Sequence, residues 1–246
     1  MIPQSLEEAI AQAKEATQIA LAAGCTKLQV ELVIPEIALK AQYLAYEFTS
    51  LFADCNSGLK VLFPDTGAAS LARRDWGEVS FQVTDLGSSR TPVEKKISDA
   101  DEAFLVISPS AVEVAQVERL CNLAGERPVV LVIPQLEDVS IVGIGYAARQ
   151  LRERFLSTLE SSYYFRPLEG AAVSRAFPGL WQVWLEKDDD YELISEQPQK
   201  PLGEALERIL LRETTTEQSP AQNSNPALKK SGIFMGIKSF LKALNQ

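Results

Sequence analysis

Apolar residues recur along the first two-thirds of this chain in two alternating rhythms. Where they return every third or fourth position an amphipathic helix is predicted; where they alternate or run unbroken for a few residues a strand is predicted. The first helix opens with a capping box, Ser5 with Glu8, and stops near Gly24. Residues 27–34 (KLQVELVI) follow as a strand, and Ile37, Ala41, Leu44, Phe48 and Leu51 then form a helical stripe. Residues 59–63 are a second strand, 66–76 a helix and 79–84 a third strand. The runs at 103–107 (AFLVI) and 129–133 (VVLVI) have the character of strands buried on both faces. Between them Val114, Val117, Cys121 and Ala124 mark another helix.

Four of these runs end in proline, at Pro35, Pro64, Pro109 and Pro134. Proline donates nothing to a ladder and suits the first turn of a helix, so the rhyme marks strand-to-helix switches. The expected fold is a three-layer α/β body with a mostly parallel sheet and helices on both faces. After Gly143 and Gly145 a helix is expected to about residue 160. Beyond it the period shortens, and 163–166, 172–177, 181–186 and 191–195 read as short strands of a small antiparallel lobe, about residues 161–197. Residues 201–211 close the body as a helix. The expected divisions are a body over 1–212, a flexible linker over 213–231 and a basic amphipathic helix over 232–246.

Charge sharpens that last division. Residues 228–246 hold four lysines and no acid, whereas the other 227 residues carry 20 basic and 33 acidic side chains. Ile233, Phe234, Ile237, Phe240, Leu241 and Leu244 fall on one helical face. A basic amphipathic helix on an acidic body points to docking on an anionic lipid surface or a membrane protein complex, through Lys229, Lys230, Phe234, Ile237, Lys238, Phe240, Leu241 and Lys242. The alternative is that this helix folds back over a groove on the body, since an isolated helix of about 13 residues is marginal in water. No apolar run approaches the roughly 20 residues of a membrane span, and an acidic body disfavours nucleic-acid phosphates. The N-terminus has no basic-then-apolar leader. Cys25, Cys55 and Cys121 show no CxxC spacing, which fits a reducing compartment.

The chain has no histidine, which removes Ser-His-Asp and Cys-His catalysis and histidine metal ligation. The carboxyl ends of the expected strands, where ligands sit in open parallel sheets, present Glu36, Asp65, Thr66, Gly67, Asp85, Ser108, Ser110, Gln135, Glu137 and Asp138. Asp65-Thr66-Gly67 reads as helix capping before it reads as a phosphate cradle, because no GxGxxG or GxxxxGK[ST] accompanies it. Gly143-Ile144-Gly145 reads as a tight turn rather than a phosphate loop. Asp188, Asp189 and Asp190 read as a solvated turn, lacking the calcium-loop pattern. Arg149, Arg152 and Arg166, with Tyr163 and Trp184, are the candidate partner-binding residues, the alternative for the arginines being structural salt bridges. No cofactor and no catalytic residue is expected.

Residues 144–156 (IGYAARQLRERFL), then 163–168 (YYFRPL), then 181–184 (WQVW) resemble an uncharacterised domain family of cyanobacteria and chloroplasts. Its plant members include a "low photosystem II accumulation" factor, and a similar domain is appended to a plastid adenylate kinase. The resemblance covers about residues 1–212 and is most specific between 129 and 184. It implies a non-catalytic auxiliary protein, peripheral to the thylakoid membrane on its cytoplasmic side, that helps photosystem II to assemble or persist. It carries over no catalytic residues. The adenylate kinase fusion supports an alternative, an enzyme or sensor binding a nucleotide or phosphorylated metabolite. Plant members begin with a transit peptide that is not seen here, which suits a cyanobacterial cytoplasm.

Overall fold

The structure is a computed structural model, and it describes residues 1–88, 91–137, 146–188 and 190–216. The Gly143 turn, the acidic turn at its central residue, most of the linker and the basic C-terminal helix lie outside the described residues.

Ser5 caps the first helix, α1 (Leu6–Ala22), its Oγ accepting from the Glu8 amide at 3.1 Å. The chain continues through β1 (Lys27–Leu32), α2 (Ala41–Thr49), β2 (Leu59–Phe63), α3 (Thr66–Trp76), β3 (Gln82–Asp85), β4 (Ala103–Ile107), α4 (Val114–Ala124) and β5 (Val129–Val132). Then come α5 (Tyr146–Arg154), β6 (Glu160–Leu168), β7 (Ala171–Ala176), β8 (Trp181–Lys187), β9 (Asp190–Gln197) and α6 (Glu204–Thr216). The prolines stand just past β1, β2, β4 and β5, as their chemistry requires.

Among the described residues nine strands form one sheet in the order β3-β2-β4-β5-β1-β6-β7-β8-β9. From β3 to β6 neighbouring strands are parallel; from β6 to β9 they are antiparallel. The antiparallel part expected near the C-terminal end therefore continues the main sheet through β6, which pairs with β1 on one side and β7 on the other. β2, β4 and β5 are buried along their whole length, as their unbroken apolar runs demand.

Helices cover both faces. Apolar side chains of α1, α2 and α3 pack with Leu28, Val30, Val61, Leu105 and Val132 on one face. Those of α4 and α5 pack with Leu62, Phe104, Val106 and Leu131 on the other. α6 adds Leu206 to a smaller core with Tyr164, Val173, Trp181 and Val183 on that second face. Crossovers that lead towards β3 place α2 and α3 on the first face, and those that lead towards β9 place α4 and α5 on the second, as a single crossover hand requires. Among the described residues no helix is long and apolar enough to cross a membrane.

Several boundaries depart from the sequence reading. β3 begins at Gln82 instead of 79, because Phe81 turns onto Trp76, with ring centroids 5.8 Å apart. α5 ends at Arg154 instead of near 160: Ser157 and Thr158 hydroxyls bond back to the Glu153 and Phe155 carbonyls, and that local bonding competes with the helix ladder. α6 runs to Thr216, past the expected start of the linker at 213.

A buried ion pair closes the amino end of β2. Lys60 Nζ donates to Asp101 Oδ2 at 2.7 Å and to the Lys96 carbonyl at 2.6 Å, and the Ser98 amide donates to the same carboxylate oxygen. The Asp101 side chain is fully buried, and its Oδ1 has no hydrogen-bond partner among the described residues. Lys60→Met removes the compensating cation and should cost about 3–5 kcal/mol in urea unfolding. The double variant Lys60→Met/Asp101→Leu should recover much of that loss, because no unpaired charge remains inside.

Candidate functional site

Leu28, Val30 and Leu32 of β1 face the first core, so the intervening Gln29 and Glu31 face the opposite side. β1 is the fifth of nine strands. On that side the helices part, and a cleft of about 350 Å³ opens, lined by Gln29, Glu31, Pro134, Gln135, Leu136, Glu137, Leu156, Lys200 and Leu202. It lies where the connection leaving β5 goes to one face of the sheet and that leaving β1 goes to the other. Ligands in open α/β sheets settle at such a point.

The charges in this cleft are engaged with one another. Lys200 Nζ donates to Glu31 Oε1 at 2.8 Å, and Ser161 Oγ donates to Glu31 Oε2 at 2.9 Å. The Lys200 ammonium also lies 4.0 Å from the Tyr164 ring centroid and 5.4 Å from that of Trp181. The two rings meet edge-on at 5.0 Å. Carboxylate and aromatic faces together favour a cation here. Burial, with the Glu31 charge second, pushes the Tyr164 phenol up to about 12, against the opposing pull of Arg166. At the mouth, Arg152 lies 3.4 Å from Glu137.

Backbone conformation is unusual along the same rim. Glu36, Ser108 and Ile133 have φ of 62°, 47° and 49°, in the left-handed region. For a β-branched residue such as Ile133 this is costly, and it turns Pro134 and Gln135 into the cleft wall. Asp65 acts as a helix cap, its Oδ1 accepting from the Ala68 amide at 2.9 Å, while Thr66 donates to Asp85 at 3.1 Å. These carboxylates occupy the helix start that an anion would need. Asp85 also receives Lys96 Nζ at 2.6 Å and the Gly87 amide at 2.8 Å. Burial acts to raise its pKa, but Lys96, the Gly87 amide and Thr66 outweigh it and hold the carboxyl below the usual range. Among the described residues no three Cys, Asp or Glu side chains converge as metal ligands.

The five expected partner-binding residues do not share one surface. Arg149 is exposed on α5, and Arg152 is exposed beside Glu137. Tyr163 is a correction: it is 1% exposed in the first core, with its hydroxyl donating to Gln12 Oε1 at 2.9 Å, so it presents nothing to a partner. Trp184 is half-buried against that core, and its indole N–H donates to Ser174 Oγ at 2.9 Å. Arg166 is half-buried beside the Tyr164 phenol. Arg154 and Arg175 form structural salt bridges, pairing with Glu118 and Glu160 at 2.7 Å.

A second feature was not singled out from the sequence. Leu39, Tyr43 and Tyr46 recur at helical spacing and are 80%, 43% and 49% exposed. With Gln42, Asp75 and Trp76 they line a shallow groove of about 500 Å³ on the outer side of α2 and α3. Tyr46 and Trp76 ring centroids are 5.6 Å apart. Burial first, then the charges of Glu47 and Glu7, raise the Tyr43 phenol pKa.

Glu31→Gln should lower stability by about 1–3 kcal/mol, since it weakens the bond that holds Lys200 on the sheet; thermal unfolding measures this. Asp85 gives a pH test. Its folded pKa lies below its unfolded value, so its carboxylate stabilises the fold above the unfolded value and loses that effect as pH falls through the folded one. The stability gap between the protein and Asp85→Asn, about 2 kcal/mol near neutrality, should close on acidification across that interval in urea titrations.

No solved structure matches the chain. A family model described as "Domain of unknown function (DUF1995)" matches residues 3–208. That span takes in every strand of the sheet, the cleft over β1 and the aromatic stripe. The chain belongs to the DUF1995 family.

Proposed function

We propose that this protein is a non-catalytic factor, peripheral to the thylakoid membrane on its cytoplasmic face, that assists assembly or stability of photosystem II. The observation that carries the reading is the exposed stripe of Leu39, Tyr43 and Tyr46 beside the half-buried Trp76. A contiguous apolar and aromatic face rimmed by acids is the kind of surface that binds protein. The lysine-rich C-terminal segment supports the membrane part, and the resemblance to the photosystem II accumulation factor supplies the partner. Arg149 and Arg152, both exposed, offer a second contact on the far face. The self-paired charges of the cleft support binding over chemistry: Glu31 and Glu137 each already hold a cation.

The cleft favours a second reading, a sensor of a nucleotide or phosphorylated metabolite with Lys200 as its cation. Thermal-shift screening separates the two: stabilisation by ATP, AMP or a phosphorylated sugar belongs to the sensor, and no response belongs to the docking factor. The main test is co-sedimentation of the full chain with vesicles containing phosphatidylglycerol. Replacing Lys229, Lys230, Lys238 and Lys242 by Ala should cut partitioning at least about tenfold, since each lysine near an anionic surface contributes about 1 kcal/mol. Equal partitioning would remove the membrane part of the proposal.

A further inference from the structure

An exposed apolar stripe on a helix pair needs an occupant, and the chain holds a segment of matching chemistry. Leu39, in the 3-10 turn Ile37–Lys40 that leads into α2, and Tyr43 and Tyr46 on α2 line one groove and present a row of apolar side chains to a partner helix. Trp76 closes the row on α3, braced from behind by Phe63 and Phe81 at 5.9 and 5.8 Å, so the groove has a rigid aromatic floor. Asp75 stands in the groove, and Glu47 and Glu7 act on Tyr43. Lys14, 3.5 Å from Glu47, and Arg74, 2.7 Å from Asp75, offset this only in part on a body with a large acidic excess. The surface therefore fits an apolar helix face flanked by cations.

Residues 233–244 have that composition. Ile233, Phe234, Ile237, Phe240, Leu241 and Leu244 share a face at helical spacing, and Lys229, Lys230, Lys238 and Lys242 flank it without an acid. We propose that this segment occupies the Leu39–Tyr43–Tyr46–Trp76 groove of its own chain. The proposal rests on the stripe being a docking face, as in the proposed function, and adds its resident: a tail that shields the face until a competing surface takes the tail away.

Reach permits it. Sixteen residues separate Thr216, the end of α6, from Ile233, and an extended chain of that length spans up to about 55 Å. A body of this size is about 40 Å across, and α6 and the groove lie on opposite faces, so the tether must run nearly extended around a sheet edge to reach it. Because the segment and the groove belong to one chain, the contact is intramolecular and independent of protein concentration. The groove also supplies the surface that a helix of about 12 residues needs in order to form.

The test is hydrogen–deuterium exchange of the full chain without lipid. In the triple variant Phe234→Glu/Phe240→Glu/Leu244→Glu, the amides of α2 and α3 should exchange about fivefold faster than in the unaltered protein, because a bound segment slows local opening. The groove variant Leu39→Glu/Tyr43→Glu alters exposed side chains and spares the core. It should partition more strongly onto phosphatidylglycerol vesicles than the unaltered protein, since its tail is already free. Equal exchange in the unaltered protein and the tail variant, at an unchanged circular-dichroism spectrum, overturns the proposal. So does a doubled mass in light scattering that tracks the protection, which makes a second copy the occupant. A tail-dependent exchange difference without vesicle binding supports the groove contact and sinks only the membrane part of the proposed function.

Discussion

A carboxylate on the central strand of a nine-stranded sheet must be compensated by whatever lies above it, and Glu31 is in that position. Its partner, Lys200, comes from the segment between β9 and α6, far along the chain. Holding the pair together draws that segment across the sheet face. It also places the ammonium over Tyr164 and Trp181, rings that belong to β6 and β8 in the antiparallel part. One polar joint thus ties β1, at the centre of the parallel strands, to both the antiparallel strands and the approach to α6. The cleft beside it is a consequence: the helices of the second face stop on either side of a row that is not apolar.

The two ends of the sheet's central region use charge differently. At the amino end, Lys60 and Asp101 are sealed from water and every contact but one is satisfied, an arrangement that serves packing. At the carboxyl ends, Glu31, Asp85 and Glu137 remain partly accessible, and three residues hold left-handed backbone angles. Strain and accessible charge at that end follow the usual placement of binding surfaces in parallel sheets. The aromatic stripe on α2 and α3 is apolar along its row, and the carboxylate that lines its groove, Asp75, is paired with Arg74. Its energy lies in unburied apolar area, so it discriminates by shape and by the acidic rim around it.

The alternation of helix and strand was legible in the order of residues because each element's period reflects its own faces. The prolines and the buried runs of β4 and β5 were equally plain. Tyr163 shows where legibility stops. It and Tyr164 are adjacent aromatic residues on one strand, yet Tyr163 enters the larger core while Tyr164 holds Lys200. Period two separates them, but nothing local says which face receives α1 and which receives the cleft. The signal for Glu31 was present as the polar positions of KLQVELVI, which mark a strand with one uncovered face. What hid its importance was that β1, first in the chain, stands fifth in the sheet.

By itself the sequence determined the class of fold, the absence of imidazole chemistry and the segregation of a cationic, apolar C-terminal segment from an acidic body, because composition and periodicity are local properties. Tertiary structure alone decided that residues 31 and 200 meet, that Leu39, Tyr43 and Tyr46 stay outside while Tyr163 goes in, and that the antiparallel strands extend the main sheet. These depend on strand order and on which helix covers which face, and such long-range pairings are chosen by the packing of the whole chain.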